Sequence, residues 1–370
     1  MRIRVHRDAT DGERRVALTP KTVTTLIGEG HSVAVPAGVG QRAGFPDAAY
    51  RDAGADVFAG TPEPADLLVG VGPFTPDDIA GSAAVIGFLD PLGEPDRAVE
   101  LAATGATLIA LEMIPRTTLA QSMDALSSQA NVAGYQAVLL AASELPRFFP
   151  MLITAAGTIR PSRVLVLGAG VAGLQAIATA RRLGAAVSAY DIRPEAREQI
   201  ESLGASFVGG PVSDAAPSGG GYATEVNEET RAAQQQALAD AVAAADVVIS
   251  TAAVPGRRAP TLVTAAMVEA MKPGSLIVDL AASTGGNCEL TRAGEVVDHD
   301  GVVIHGPLDL SSRTAGDASE MLGKNILALI SHLAGDGELS VEGEIGREAC
   351  IARDGRIVSD RVAQALGSPA

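Results

Sequence analysis

The chain has no tryptophan, only two cysteines, and an aromatic share of 3%. Cys288 and Cys350 cannot make a disulfide framework, and so sparing a use of thiols fits a reducing compartment. Cysteines, histidines and carboxylates are nowhere spaced as metal ligands, so no metal site is expected. Basic residues are in the minority: 28 Lys and Arg stand against 44 Asp and Glu, a net charge of −16. That balance speaks against nucleic acid and against an anionic membrane surface as partners. No apolar run reaches the roughly 18 residues a bilayer span requires. No basic segment followed by an apolar stretch opens the chain, so no secretory signal is read. A cytoplasmic chain without direct membrane insertion is the expectation. Core material is not scarce: 47% of the 370 residues are hydrophobic, enough for about two domains.

What is present centres on Arg163-Val164-Leu165-Val166-Leu167-Gly168-Ala169-Gly170-Val171-Ala172-Gly173-Leu174. Val164 to Leu167 is apolar without alternation, as in a strand covered on both faces. Gly168, Gly170 and Gly173 then give G-x-G-x-x-G where the strand turns into a helix, Leu174 to Leu183. The first glycine permits the tight turn, the second lets backbone approach a pyrophosphate, and the third lets helix and strand pack closely. The helix N-terminus offers unpaired N–H groups to phosphate. After Gly184 a second strand, Ala186 to Tyr190, ends in Asp191, 21 residues beyond Gly170. An acid there accepts from the adenosine ribose hydroxyls and repels a 2′-phosphate, favouring NAD over NADP. Arg193, two residues on, could meet a 2′-phosphate. The plain alternative is an ordinary β-α-β unit with an acid at a strand end by chance.

The remaining chain reads as alternating strands and helices. Strands are expected at Arg2 to His6, Ser32 to Pro36, Leu67 to Val71, Val85 to Leu89 and Thr107 to Leu111. Helices are expected from Thr19-Pro20 to about Glu29 and from Asp47 to Gly54. This half carries Gly38 and Gly40 but no complete phosphate fingerprint. A long helix from about Gln121 to Glu144 leads into the nucleotide half. Its later strands fall at Ala205 to Val208, Val247 to Thr251, Leu276 to Leu280 and Val302 to His305. A second long helix, about Ser319 to Leu333, leads back. Cys350 to Val358 reads as a hairpin turning on Asp354-Gly355. The fold class is therefore α/β: two Rossmann-like domains with parallel sheets, joined by two long helices. The first domain is 1–120 plus 319–370 and the second 121–318, the helix 121–144 being a joint. NAD is expected in the second domain at the interdomain cleft. Pro211 to Asn227, with Gly219-Gly220-Gly221-Tyr222, reads as a loop excursion, either a surface insertion or a lid.

Arg116, Gln121, Asp124, Ser127 and Ser128 gather at the first long helix. Gln121, Asp124 and Ser128 are spaced to share a helix face, with Ser127 at its edge. Such groups could orient a nicotinamide carboxamide. From spacing alone, helix capping is the simpler reading, with Thr118 and Gln121 fitting a capping box.

Four segments resemble the NAD(H)-binding alpha subunit (domain I) of proton-translocating NAD(P) transhydrogenase. They are Gln121 to Ser128, Arg163 to Leu183, Gly286-Asn287-Cys288 and Arg353-Asp354-Gly355. The likeness covers nearly the whole chain. The wider group includes alanine dehydrogenase, which shares Arg15-Val16-Ala17-Leu18-Thr19-Pro20. The resemblance implies hydride transfer between NAD(H) bound here and NADP(H) bound on a partner subunit. It implies a homodimer, membrane-embedded partner subunits that carry the proton, and peripheral association with the inner membrane through them. It places the residues matching Arg116, Gln121, Asp124 and Ser127 around the nicotinamide, and Tyr222 on a mobile loop over the nucleotide. The candidate cofactor set is Gly168, Gly170, Val171, Gly173, Asp191, Ile192, Arg193, Tyr222, Thr251, Ala252 and Ala253. Alanine dehydrogenase needs a His, a Lys and an Asp. Here their places hold Asp90-Pro91, Gly70-Val71-Gly72 and Ser283, so the general base for amine or alcohol oxidation is missing. The Lys is usual in transhydrogenases too, so its loss departs from both patterns. The alternatives are a stand-alone amino-acid dehydrogenase and a non-catalytic NAD-binding module.

Overall fold

Short apolar stretches flanked by glycine and proline become parallel strands buried on both faces, and the helices between them do the covering. The computed structural model describes residues 1–367 except 9, 62, 210–227, 255 and 336–337, and only the backbone of 228–231. The chain divides into two units: 1–132 with 255–257 and 311–370, and 133–254 with 258–310.

In the first unit, strands β1 (Arg2–Val5), β2 (Ser32–Pro36), β3 (Asp56–Phe58), β4 (Ala65–Val69), β5 (Ser82–Gly87) and β6 (Thr107–Ala110) pair in parallel, in the order β3-β2-β1-β4-β5-β6. A hairpin, Cys350–Arg353 and Arg356–Ile357, adds antiparallel to β6. It turns on Asp354 (φ 51°) and Gly355 (φ 76°), as the Asp-Gly pair predicts. Successive residues of one strand serve opposite faces. Leu67 and Val69 pack with Leu322, Ile326 and Ile330 of the second long helix, Ala315–Leu333. Leu68 packs with Ile79 and Leu101. That helix starts before Ser319, because Ala315 and Ala318 are buried and prolong its apolar face.

The second unit opens with the rest of the first long helix, Ala125–Glu144, followed by a two-stranded hairpin, β7 (Leu152–Thr154) and β8 (Gly157–Ile159). Its main sheet comprises β9 (Arg163–Leu167), β10 (Ala186–Tyr190), β11 (Ser206–Phe207), β12 (Val247–Ser250), β13 (Leu276–Asp279), β14 (Val296–His299) and β15 (Val302–His305). The order is β11-β10-β9-β12-β13-β15-β14, antiparallel only at β14. Val164 and Val166 face Ala137, Ala141 and Ile177, while Leu165 and Leu167 face Leu238 and Val242. The α/β class with parallel-rich sheets holds as read. The short strands β3, β7, β8 and β14 were not expected.

Candidate dinucleotide site

The glycine turn shows three separate reasons for three glycines. Gly168 adopts φ +92°, and a Cβ there would sit 2.9 Å from Thr251 Oγ1. At Gly173 a Cβ would come within 1.8 Å of Gly168 O, so only glycine lets the helix close on the turn. Gly170 differs: no heavy atom lies within 4 Å of its Cβ position. The fold does not need glycine at that point, and the open side is where a ligand's phosphates can come close to backbone. The helix begins at Val171, three residues before the expected start, with Gly170 as its N-cap. The N–H groups of Val171, Ala172 and Gly173 therefore have no partner within the helix. A further close approach went unread in the sequence: a Cβ on Gly134 would meet Ala172 O at 2.1 Å, so the first long helix packs tightly on the same first turn.

Asp191 closes this turn from the side. Its Oδ2 accepts from Ala169 N at 2.7 Å, and its Oδ1 from Arg193 N at 2.8 Å. The Arg193 guanidinium bonds both oxygens at 3.0 Å. Burial opposes the charge, but the Arg193 side chain and the two backbone N–H groups outweigh it and hold the carboxyl below the usual range. Ile192 beside it is 82% exposed.

The facing wall is Thr251-Ala252-Ala253, directly after β12. Thr251 Oγ1 donates to Gly168 O at 3.1 Å, joining that wall to the glycine turn. Its support comes from two side chains the sequence did not single out. Asn287 is fully buried and matches Ala252 as an amide matches an amide. Its Oδ1 accepts from Ala252 N at 3.0 Å and its Nδ2 donates to Ala252 O and Pro260 O, both at 2.8 Å. Asp279, fully buried at the end of β13, accepts from Ser250 Oγ, Ala281 N, Asn287 N, Cys288 N and Thr291 Oγ1. Five donors hold a charge that burial alone would disfavour. The Gly286-Asn287-Cys288 segment was the only hint of this in the sequence.

Thus every described member of the cofactor set lies at the carboxyl edge of the second sheet. Tyr222, with the loop Pro211 to Asn227, lies outside the described residues.

Arg116, Gln121, Asp124 and Ser127 belong to the first unit, and one expectation about them fails. Gln121, Asp124 and Ser128 do not share a helix face. Gln121 sits in a separate 3-10 turn, Gln121–Met123, and the helix begins at Ala125. Asp124 caps it: Oδ1 accepts from Ser127 N at 2.8 Å and Oδ2 from Ser127 Oγ at 2.6 Å. The carboxylate satisfies an orphan N–H better from the cap than from the helix interior, which displaces the Thr118–Gln121 box. Ser128 turns inward to Asn325 Oδ1 at 2.7 Å. Arg116 and Gln121 are exposed, and neither side chain has a hydrogen-bond partner among the described residues.

The first unit shows why no lysine stands after β4. A Cβ on Gly70 would strike the Phe74 ring at 2.6 Å, and one on Gly72 (φ +104°) would meet Phe88 O at 2.2 Å. Phe74 and His6, whose ring centroids are 4.9 Å apart, fill the room a longer side chain would use, with His6 Cβ 2.9 Å from the Gly70 Cβ position. Burial lowers the His6 pKa. Arg15 lines a cavity of about 260 Å³. Its fork is taken by Glu13 (2.9 and 2.6 Å) and Gln129 (2.8 Å). No group of three His, Cys, Asp or Glu among the described residues could hold a metal ion. No helix there is long and apolar enough to cross a membrane.

Two doubly wound α/β units, one with a complete dinucleotide turn and its acid, define a two-domain nucleotide-binding protein of the Rossmann class. Comparison with known proteins narrows the class. The alanine dehydrogenase/PNT N-terminal domain matches residues 4–133 and the alanine dehydrogenase/PNT C-terminal domain residues 137–360. The chain belongs to the alanine dehydrogenase/PNT family. NAD(P) transhydrogenase subunit alpha of Haemophilus influenzae is 41% identical over 380 residues, covering 100% of this chain and 74% of that one. Alanine dehydrogenase of Bacillus subtilis is 32% identical over 307 residues, 81% of this chain and 74% of that one. The crystal structure of transhydrogenase from Sinorhizobium meliloti superposes with a TM-score of 0.86 at 39% identity, over 97% of this chain and 99% of that one.

Proposed function

We propose that this chain is the NAD(H)-binding subunit of a proton-translocating transhydrogenase, passing hydride between its own NAD(H) and NADP(H) on a partner subunit. The observation that carries the reading is the cradle at the second unit's sheet edge. A phosphate-ready helix N-terminus opens beside Gly170, with Asp191 tied to the same turn through Ala169 N. Val171, Ile192 and the wall Thr251 to Ala253 complete the surround. Arg116, Gln121, Asp124 and Ser127 orient the nicotinamide. Hydride transfer between two nicotinamides moves no proton at the reacting carbons, so no side chain need serve as acid or base. The protein's part is to place one ring against another and exclude water. An Arg15 already paired with Glu13 and Gln129 and the filled space around Gly70 fit that role better than amino-acid oxidation, which needs a cation for the substrate carboxylate and a base beside it.

The subunit pairs with a second copy of itself. Met151, Ile153 and Ile159 of the β7–β8 hairpin are 56%, 74% and 44% exposed, an apolar arm of the kind a partner covers. NADP-binding and membrane-embedded subunits complete the enzyme and carry the proton, so this chain is cytoplasmic and peripheral to the membrane.

The test is calorimetry with NADH and NADPH, then exchange assays with and without an NADP-binding partner. NADH binding that clearly exceeds NADPH binding, with exchange only when the partner is present, is the expected result. Equal affinities, or reduction of NAD by an amino acid without a partner, would overturn it. Ile153→Glu should shift the chain to a monomer in sedimentation, and an unchanged dimer would remove the hairpin from the interface.

A further inference from the structure

An acid after the second strand of a dinucleotide unit serves the ribose by offering acceptor lone pairs. In Asp191 those lone pairs are already engaged. Two oxygens have about four acceptor positions, and four donors occupy them: Ala169 N, Arg193 N, Arg193 Nε and Arg193 Nη2. The two backbone donors belong to the turns on either side and stay with the fold. The two guanidinium donors come from a side chain 48% exposed, closed over a carboxylate 7% exposed. Only these two can leave without undoing the backbone. A ribose with two hydroxyls to donate therefore needs the positions that Arg193 holds.

We propose that Arg193 guards the ribose position: it competes with the adenosine ribose for Asp191, swings out when NADH binds, and then stands where a 2′-phosphate would meet it. The guard lowers NADH affinity and at the same time softens the rejection of NADPH. The Glu195 carboxylate lies near enough to act on the guanidinium and offers it a second anionic neighbour. The inference rests on the reading of the second unit as the NAD(H) site.

Arg193→Ala, Arg193→Lys and Asp191→Ala in the full chain, titrated with NADH and NADPH by calorimetry, test it. Removing an ion pair of this exposure should tighten NADH binding by about two- to fivefold. NADPH should bind more weakly than to the unmodified chain, so the NADH:NADPH ratio widens on both counts. Arg193→Lys should fall between, since an ammonium cannot fork both oxygens, and it carries the test if the alanine variant fails to fold. Unchanged or weaker NADH binding by Arg193→Ala, with Asp191→Ala still impaired, would overturn the guard and leave the site reading standing. Asp191→Ala binding NADH as well as the unmodified chain would remove the site reading, and the guard with it.

Discussion

The two units share a strand order, two strands out from the first and three parallel strands on its other side, with antiparallel strands only at one edge. They differ in how the chain leaves the first strand. In the second unit it passes from β9 through Gly168, Ala169 and Gly170 straight into a helix with free N–H groups. In the first unit β1 runs on into His6, Arg7 and Asp8, and the next helix begins only at Pro20. Proline brings no N–H to that terminus, and Thr22 Oγ1 closes it by accepting from Thr19 N and donating to Thr19 O. One unit ends its first strand in a glycine turn that opens onto free helix N–H groups, the other in the His6 ring packed on Phe74 and in Arg7 and Asp8, which bond to Ala37 O and Thr10 N. The topology is common property, and the chemistry lies in a few residues at the carboxyl edge.

The contrast breaks most sharply at Gly173. Gly173→Ala forces a Cβ onto Gly168 O and should cost about 3 kcal/mol or more with loss of NADH binding. Gly170→Ala has open space and should change stability by only about 0.5 kcal/mol while still weakening NADH. Thermal melts and NADH titrations on the pair separate packing from ligand approach, and two identical profiles would erase that distinction.

Next in size is Asn287→Asp. A carboxylate there keeps the bond from Ala252 N but faces Ala252 O and Pro260 O with nothing to donate, a loss of about 1–3 kcal/mol. Protonation restores one donor, so NADH affinity should recover as pH falls. An affinity that ignores pH would deny Asn287 its part in holding the wall.

The first unit holds its own pH-dependent feature. Glu112 Oε1 accepts from Asp90 N at 2.8 Å, while Oε2 is buried with no partner among the described residues. Burial raises its pKa from 4.5 to about 7. The folded state therefore binds the proton more tightly than the unfolded one, and stability falls as pH rises from about 4.5 to 7. Glu112→Gln should be more stable than the unmodified chain by on the order of 1–3 kcal/mol at about pH 8, with the gap closing toward about pH 5. Denaturant melts at both pH values decide it, and a gap that stays constant would contradict the role given to burial. The smallest effect is expected at His6: His6→Gln should leave hydride exchange near normal, whereas loss of exchange would make its imidazole a participant.

Much of this could be read in advance where sequence carries period or punctuation. The apolar runs at Val164 and Leu67, the glycine turn between strand and helix and the Asp354-Gly355 turn form where they were read, and Asp191 falls at the end of the second strand. What escaped depends on partners distant in sequence or on very little length. Asp279 gathers three backbone N–H groups that any residue supplies and two hydroxyls, Ser250 Oγ and Thr291 Oγ1, that lie 29 and 12 residues away, so its five donors leave no pattern. Asn287 earns its place by matching a peptide group 35 residues away. The hairpin Leu152 to Ile159 is exposed on both faces and lacks alternation, and β3 is three residues at a sheet edge. Asp124 looked like a member of a helix face because cap and interior positions share the same spacing.

The proposed reaction passes hydride directly between two nicotinamides, with no side chain as acid or base. The direct measurement is isotope tracking: NADH deuterated at the transferring C4 position, incubated with this chain and a partner carrying NADP in ordinary water. Deuterium should arrive intact on the NADPH formed, with no hydrogen from solvent at C4. Solvent hydrogen in that position, or reduction of NADP only when an amino acid is added, would contradict direct transfer.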